Sequence, residues 1–470
     1  MTINTPIIWV FLPIFIAAIT AVFYRRQILC TIITATTGFG LGALAFFFPE
    51  DLLISVGPLT LTFVESLGIL GRQIIVSYQL LPFIAFLYFS TGLWAVASLV
   101  SGVPDSFRSI CLIITALLTA ALGVQPFLYA ALFIEAAILF AVPMLSPLQE
   151  KTHPGILRFL SLQTLAMPFI LLAGWMLSGV ETLPPDSPMI GQTMLVLGLG
   201  LGLWLAVFPF HSWVPMVSEK SNPIPLSFLL FIFPTAISLF SLNFLERYTF
   251  LRTSQSLYET LRIVGALMIV LGGMWTAYQD NIKRAFGFAS LTETGFLLFA
   301  IGLADQDGLM MLLMLFPARA IGFWLWGYTL SLIEIRADSL SFDGLRGFSH
   351  RYPIISTGLL IAQLSLAGLP ILSSFPIKIA LLSSGFSSSP NLIFWIFIGN
   401  LGLFFFSIRL LITLVTPDEE EMTPKWKLSE KVKIYLPILL ISLLIVLVGL
   451  FPNLTLTNIT STLTAFSQLQ

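Results

Sequence analysis

The sequence predicts an all-α polytopic membrane protein with about 14 transmembrane helices, and three observations lead to this fold class. The chain of 470 residues is 57% hydrophobic and 10% charged, whereas soluble globular domains carry about 25% charged residues. Apolar stretches of roughly 20 residues, enough to cross a bilayer as a helix, recur along the whole chain. Basic residues collect in alternate loops between those stretches, as in membrane proteins. A soluble protein, or one that binds nucleic acid, is therefore not expected.

The apolar stretches, taken in order, are fourteen predicted spans. The first has no Lys or Arg before it, so it is predicted to be a retained helix rather than a cleaved signal. The stretch 108–146 is divided in two because Gly123 to Pro126 favour a turn. The spans are 7–23, 28–48, 74–99, 108–123, 125–146, 156–179, 189–210, 226–244, 257–277, 286–303, 308–333, 353–385 (broken), 392–416 and 432–451.

The positions of the basic residues predict how the chain is oriented. With the N-terminus on the outer side, 15 of the 22 Lys and Arg residues fall on the cytoplasmic side and four on the other. Cytoplasmic loops carry an excess of Lys and Arg, so an outer N-terminus is predicted. The remaining three, Arg319, Lys378 and Arg409, lie inside spans.

Two proline-containing interruptions divide the helices into units. The stretch 364–389 contains Pro370 and Pro376, directly followed by Lys378, and the stretch 204–225 contains Pro209 and Pro215. Proline removes a helix hydrogen bond and clashes with the preceding turn, so both helices are predicted to break there. Broken helices at matching positions of two five-helix units are typical of transporters built from inverted repeats.

The predicted organisation therefore has four parts. Residues 1–107 hold helices 1–3 and an outer-side segment, 50–73, whose alternating residues indicate an extended hairpin. Residues 108–244 are the first inverted repeat, helices 4–8, and 257–416 are the second, helices 9–13. Residues 417–470 hold an acidic and basic cytoplasmic loop, helix 14 and an outer tail.

Five ionisable side chains are predicted to lie at membrane depth: Glu135, Glu293, Arg319, Lys378 and Arg409. A Lys at the bilayer centre costs about 2.5–3.5 kcal/mol, so such residues are functional candidates. For three of these residues a structural role remains as an alternative. Lys378 could extend towards the headgroups, Arg409 could pair with a carbonyl or carboxylate, and Glu293 could be a satisfied polar residue near its helix end. The two cysteines lack the spacing of a metal or redox site, so no metal or cofactor is predicted in this chain.

Four stretches resemble one known family. They are Phe208-Pro-Phe-His-Ser-Trp-Val-Pro215 with Asn222-Pro223, Asp280-Asn-Ile-Lys-Arg284 continuing to Gly295, Asp343-Gly-Leu-Arg-Gly347, and Leu366-Ala-Gly-Leu-Pro370 followed by Phe375 and Lys378. Together they are similar to the signatures of the antiporter-like subunits of complex I (NADH:quinone oxidoreductase), Mrp-type antiporters and membrane-bound hydrogenases. The resemblance covers about 100–400.

The resemblance implies proton translocation through two half-channels, each centred on a lysine at a broken helix. It implies that Lys378 is the lysine of the second half-channel and Glu135 the fifth-helix glutamate, with Glu293, Arg319 and His211 as further candidates for the proton path. His211 could equally anchor the broken helix by hydrogen bonds. It also implies an energy-transducing membrane, either a prokaryotic plasma membrane or a thylakoid or inner mitochondrial membrane.

Two family lysines are replaced in this chain. The seventh-helix position is Trp204, and the eighth-helix position falls at Thr235 and Ala236. The first half-channel is therefore predicted to be degenerate, or to work through Glu135, Glu293 or a neighbouring subunit. Because its own half offers Glu135 no lysine, we expect this carboxylate to face a neighbouring subunit.

Three functions remain open at this point. The chain could be a proton-translocating, non-redox membrane subunit of a complex I-type NAD(P)H or ferredoxin:quinone oxidoreductase, not catalytic alone. It could be a subunit of an Mrp-type cation/proton antiporter, or a non-pumping structural subunit. In each case the partners are other membrane subunits, the lipid bilayer, and protons or small cations.

Overall fold

The computed structural model describes residues 2–48, 53–56, 59–69, 71–100, 102–146, 153–180, 187–337, 339–417, 432–453 and 462–469. Helices dominate. In order they are α1 (Leu12–Val22), α2 (Gln27–Phe46), α3 (Leu81–Ala97), α4 (Phe107–Gly123), α5 (Ala130–Leu145), α6 (Pro154–Val180), α7 (Pro188–Trp204), α8 (Trp213–Lys220), α9 (Pro223–Arg247), α10 (Thr249–Arg252), α11 (Gln255–Ala277), α12 (Ile282–Gly302), α13 (Gln306–Glu334), α14 (Phe348–Arg351), α15 (Pro353–Leu366), α16 (Phe375–Ser388), α17 (Pro390–Val415) and α18 (Val432–Leu450).

The apolar length of these helices fits a membrane protein. Within the described ranges, nine helices are long and apolar enough to cross a bilayer by length and composition, and five shorter apolar helices have 10–17 residues. Three central helices are mostly buried. An apolar 18-residue window of α12 is 100% buried, and those of α9 and α13 are each 83% buried. Most side chains in the middle of these three helices therefore face protein.

Six short strands accompany the helices, and four of them lie in or overlap the segment 50–73, where an extended hairpin was predicted. They are β1 (Thr2–Asn4), β2 (Leu53–Val56), β3 (Leu59–Val64), β4 (Ser66–Ile69), β5 (Arg72–Ile75) and β6 (Val124–Gln125). They form two three-stranded sheets, ordered β1-β3-β2 and β4-β5-β6. The third predicted span, 74–99, is consequently too long at its start, because β5 runs to Ile75 and a 3-10 turn, Tyr78–Leu80, precedes α3. The predicted acidic and basic loop between the last two spans lies almost entirely outside the described residues.

Both predicted interruptions are gaps between helices. We call 205–209, between α7 and the 3-10 turn Phe210–Ser212 that leads into α8, the first break, and 367–374, between α15 and α16, the second break. The prolines act differently from the prediction. Pro376 lies in the first turn of α16, where its missing N–H would have no helical partner anyway. Pro215 likewise lies inside α8 near its start. Only Pro209 and Pro370 lie in the breaks themselves.

The two breaks begin with the same backbone motif. After α15, the N–H of Leu369 donates to the Leu364 carbonyl (3.0 Å) and that of Gly368 to the Ser365 carbonyl (3.0 Å). After α7, the N–H of Val207 donates to the Gly202 carbonyl (2.8 Å) and that of Ala206 to Leu203 (3.3 Å). This is the Schellman arrangement, which needs a left-handed residue just after the helix. Gly368 supplies it with φ +70° and Ala206 with φ +52°.

Candidate functional site

The second break exposes backbone acceptors next to a lysine. The last carbonyls of a helix have no partner within it, and the Schellman motif satisfies only those of Leu364 and Ser365. The carbonyl of Leu366 instead accepts a hydrogen bond from Lys378 Nζ, and that of Ala367 accepts one from Asn400 Nδ2 (2.6 Å). Side chains from α16 and α17 therefore complete the end of α15.

Lys378 is fixed in the protein interior by three contacts. Its Nζ donates to Glu293 Oε1 on α12 at 2.7 Å and to the Leu366 carbonyl. It also lies 4.3 Å from the centre of the Phe296 ring, within cation–π range. Lys378 is 3% exposed and Glu293 0%. This lysine does not extend towards the headgroups, since its amine is held by the core.

Gly368 is the residue that lets the Lys378 side chain pass. Its φ of +70° is in the left-handed region, which side chains with a Cβ rarely adopt. A Cβ there would lie 3.1 Å from Lys378 Cδ. The glycine is therefore required twice, by the backbone and by the lysine stem.

Glu293 lies closer to the middle of its helix than the sequence suggested. The alternative that it sits near the helix end is wrong, because α12 extends over Ile282–Gly302. Its Oε1 pairs with Lys378, whereas its Oε2 is buried and has no hydrogen-bond partner among the described residues. This second oxygen can still accept a proton or a hydrogen bond.

Arg319 on α13 adds a second buried cation. It is 0% exposed, and its Nη2 reaches the Leu230 carbonyl on α9 at 3.5 Å, a long contact. Its Nε and Nη1 have no hydrogen-bond partner in the described part of the chain. Arg319 interacts electrostatically with both Glu293 and Lys378. The structure thus brings three of the predicted residues together, two cations around one carboxylate.

Sequence reasoning missed two polar residues near this cluster. Asn400 holds the end of α15, and its Oδ1 is buried without a partner among the described atoms. Gln363 on α15 is 0% exposed and accepts from Trp326 Nε1 at 3.2 Å. An amide in the middle of an apolar span is a signal that a search restricted to ionisable groups does not register.

The first break has a glutamine where the second has a lysine and an asparagine. Gln163 Nε2 on α6 donates to the carbonyls of Leu203 (3.0 Å) and Trp204 (3.4 Å), the last residues of α7. Gln163 is 1% exposed and Trp204 2%. His211 lies in the 3-10 turn and stacks on Phe208 with ring centres 5.1 Å apart. The helix end is thus satisfied here by neutral groups.

Glu135 is separate from the Lys378 cluster. It lies on α5, half-buried, and its Oε1 accepts from Thr164 Oγ1 on α6 at 2.8 Å. Its Oε2 is buried with no partner among the residues described. The structure does not bring Glu135 together with the break residues of its own half.

Arg409 is also outside the cluster, and it lies towards the end of its helix rather than at its middle. It is in the last two turns of α17 and pairs with Asp280 at 3.0 Å and with the Ala277 carbonyl at 2.5 Å. These are the carboxylate and carbonyl partners of the structural alternative. Arg409 ties α17 to the loop between α11 and α12.

The arrangement of the second break permits proton exchange. The Lys378 amine and the Glu293 carboxylate lie 2.7 Å apart, within the distance at which a proton can pass directly between two groups. An arginine keeps its proton, so Arg319 supplies fixed charge while Lys378 and Glu293 supply exchangeable sites. Among the described residues, no three His, Cys, Asp or Glu side chains are grouped as a metal site requires.

These features define a helical membrane protein with an ion pair buried at the break of an inner helix. A family model described as "NADH:quinone oxidoreductase/Mrp antiporter, TM" matches residues 176–404. Residues 176–404, with the first break, Glu293, Arg319 and Lys378, therefore belong to this family of antiporter-like membrane subunits. The chain is an integral, multi-pass membrane protein.

One relative is similar to part of this chain, and several solved structures share its fold. NADH-quinone oxidoreductase subunit 14 of Thermus thermophilus is 28% identical over 234 residues, 47% of this chain and 49% of that protein, so the match spans about half the length of the relative. The fold resembles a subunit of an archaeal membrane-bound sulfane sulfur reductase (TM-score 0.78, 16% identity, 99% of this chain and 98% of that one). It also resembles a chain of the Mrp complex from Dietzia sp. (TM-score 0.76, 13% identity, 99% of this chain and 97% of that one). A chain of Thermus thermophilus respiratory complex I is similar as well (TM-score 0.76, 19% identity, 99% of this chain and 99% of that one).

Proposed function

We propose that this chain is a proton-translocating, antiporter-like membrane subunit of a complex I-type oxidoreductase, and that its second half conducts. One observation carries the proposal, the buried ion pair of Lys378 and Glu293 at the second break. Removing two charges from water is costly, and a purely structural helix break could be completed by amides, as Gln163 completes the first. An exchangeable proton explains why the second break has ionisable groups instead.

The proton would move between Lys378 Nζ and a hydrated path beside the unwound segment. In the paired state the two charges stabilise each other. When a proton leaves Lys378, Glu293 still interacts electrostatically with the fixed positive charge of Arg319. Arg319 then acts as an alternate counterion for Glu293. The three side chains thus form a two-position switch of charge rather than a single shuttle.

The proposed topology has fourteen spans arranged as two inverted five-helix repeats, 108–244 and 257–416, with the N-terminus on the outer side. The shared Schellman ends of α7 and α15 support the repeat. The proposed location is a prokaryotic plasma membrane or another energy-transducing membrane. Other membrane subunits would supply the redox centres, so this chain would hold no cofactor.

The first half-channel is proposed to be degenerate. Neither Trp204 nor Ala236 can hold a proton, and Gln163 satisfies the end of α7 with a neutral group. Glu135 is partly exposed on α5, and one of its carboxylate oxygens has no partner among the described residues; it is proposed to face a neighbouring subunit that supplies a cation. A complex in which Glu135 contacts lipid or an apolar wall would contradict this.

Two other functions are weaker candidates. Membership of an Mrp-type cation/proton antiporter is supported by the likeness of fold, which does not distinguish one member from another. A non-pumping structural role is supported by the replacement of lysine at Trp204 and Ala236. Co-purification distinguishes an oxidoreductase subunit from an antiporter subunit. Iron–sulfur partner subunits indicate an oxidoreductase, and small hydrophobic partners alone indicate an antiporter.

The deciding experiment is Lys378→Ala in the intact complex, with proton translocation measured in liposomes by a pH-sensitive dye. Lys283→Ala is the matched control, since Lys283 is also buried and paired, with Glu334 at 2.7 Å, but lies at the start of α12. We expect translocation to be lost in Lys378→Ala and kept in Lys283→Ala at equal assembly. Equal translocation by both variants would reject the proton role and favour the structural one.

A further inference from the structure

A small cavity lies at the first break, between the two halves of the chain. Its volume is about 20 Å³, and it is lined by residues of α6, including Gln163, by the end of α7 and the first break, and by the start of α8, α9 and α12. A cavity needs about 10–15 Å³ to hold one water, together with two to four polar partners. The volume therefore fits one water molecule and little more.

Two tryptophans line this cavity, and their indole N–H groups have no partner in the described part of the chain. They are Trp204 and Trp213, which are 2% and 4% exposed. A buried donor left unpaired costs about 1–3 kcal/mol. Two such donors at one cavity indicate an acceptor between them.

Two hydroxyl groups of α12 line the same cavity and can act there only as acceptors. Ser290 Oγ donates its hydrogen to the Gly287 carbonyl (2.7 Å), and Thr294 Oγ1 donates to the Ser290 carbonyl (3.0 Å). Each hydroxyl has one hydrogen and two lone pairs. With their hydrogens committed, Ser290 and Thr294 offer lone pairs to the cavity.

We infer that the cavity is a binding site for a single water of fixed polarity, which closes the first half of the chain to protons. Its oxygen accepts from the indoles of Trp204 and Trp213, and its two hydrogens are donated to Ser290 and Thr294. This satisfies the four hydrogen bonds of one water and both buried indoles. The inference rests on the proposed function, in which the first half lacks a proton-holding lysine.

Such a water cannot relay a proton. Transfer along a water chain requires each oxygen to accept a proton on one side and release one on the other. Here both lone pairs are occupied by indole N–H groups, and indole nitrogen is a donor only. A proton arriving from either side finds no acceptor. Trp204, at the position where the family has a lysine, thus blocks proton transfer in addition to removing a proton carrier.

The binding site itself is tested by a map of the intact complex at a resolution that shows ordered waters. We expect one water within hydrogen-bond distance of both indole nitrogens and of the Ser290 and Thr294 hydroxyls. A dry cavity, or a water that contacts one indole only, would overturn the site.

The barrier is tested by passive proton leak into liposomes that contain the complex, without electron donor. Trp204→Phe and Trp213→Phe each remove one N–H and give the water an open lone pair. The leak should rise about fivefold in each, the factor of one ordinary hydrogen bond. Trp94→Phe is the control, because the Trp94 indole already donates to Ser227 Oγ at 2.9 Å away from the cavity.

A leak equal in all three variants would overturn the barrier. Because the leak is measured without turnover, its outcome does not depend on Lys378. Loss of the barrier with translocation intact, or the reverse, therefore separates this inference from the proposed function.

Discussion

Lys378 on α16 and Glu293 on α12 are 85 residues apart in the sequence and form an ion pair of 2.7 Å in the interior. Neither group would be stable there alone, because an unpaired buried charge is strongly unfavourable. The pair also joins a broken helix to an unbroken one, so a change of charge on either residue is felt by both. The following predictions test what this pairing and its surroundings do.

Glu293→Gln should destabilise the complex by about 3–5 kcal/mol, because it leaves Lys378 charged and without its counterion. Adding Lys378→Met should recover most of this loss, since the two residues act as one unit. Thermal unfolding of the purified complex measures both. Asp343→Asn is the control. Its pair with Arg346 at 3.3 Å is exposed on both sides, by 89% and 49%, so the expected loss is about 0–1 kcal/mol. Additive single effects would show that the pair is not coupled.

Gly368→Ala should reduce proton translocation as well as stability. The left-handed φ costs about 1–3 kcal/mol, and the new Cβ would lie 3.1 Å from Lys378 Cδ and displace the amine. Gly71→Ala carries a similar backbone cost, at φ +76°, with nothing within 4 Å. The control should therefore lose stability and keep translocation. If both variants pump alike in the dye assay, the contact with Lys378 does not matter.

Asn400→Leu should cost about 1–3 kcal/mol, because the buried carbonyl of Ala367 loses the donor that lies 2.6 Å away. The end of α15 should then fray, which amide hydrogen exchange of 364–374 would detect as faster exchange. Asn243→Leu is a suitable comparison, since Asn243 bonds the Leu122 carbonyl only at 3.5 Å. An unchanged exchange pattern in Asn400→Leu would mean that the second break holds its shape without this side chain.

Ala206→Gly should raise the unfolding free energy by about 1 kcal/mol, since a residue with a Cβ is disfavoured in the left-handed region and glycine is not. Ala236→Gly should instead lower the unfolding free energy, because Ala236 lies inside α9 and glycine costs about 1 kcal/mol in a helix interior. Chemical denaturation of the two variants, side by side, gives the comparison. A loss of stability in Ala206→Gly would mean that the methyl group of Ala206 contributes packing that outweighs its backbone cost.

Arg409→Gln should change stability by about 1 kcal/mol or less and leave translocation intact. Both Arg409 and its partner Asp280 are exposed, by 43% and 83%, and such pairs contribute little. Translocation in liposomes is the measurement, with Lys378→Ala as the sensitive reference. Loss of translocation in Arg409→Gln would move this residue from the structural group to the proton path.

Much of the architecture could be predicted from the sequence, because it depends on local composition. Each predicted span overlaps at least one helix, because a long apolar stretch in a bilayer can satisfy its backbone polar groups as a helix. The prolines located both breaks to within a few residues. The strands β4 and β5 were harder to delimit, and the third span was begun too early, because Ile74 and Ile75 are as apolar as the helix that follows.

The partners of the buried charged and amide side chains could not be predicted from the sequence. Lys378, Glu293 and Arg319 were recognised singly, as charges in apolar surroundings, yet nothing in the chain indicated that the first two would meet. The helices that carry them are apolar on every side, so no amphipathic pattern reports which face turns inward. Asn400 and Gln163 were overlooked because their roles arise only where a helix end from another part of the chain reaches them.

The sequence by itself therefore determined the membrane class and the position of the two breaks, because these follow from residue type and order. Only the tertiary structure decided that Lys378 pairs with Glu293, that amides complete both helix ends, and that Trp204 and Trp213 share a cavity. Such pairings depend on how helices distant in the chain pack against one another, and packing is fixed by the whole core at once.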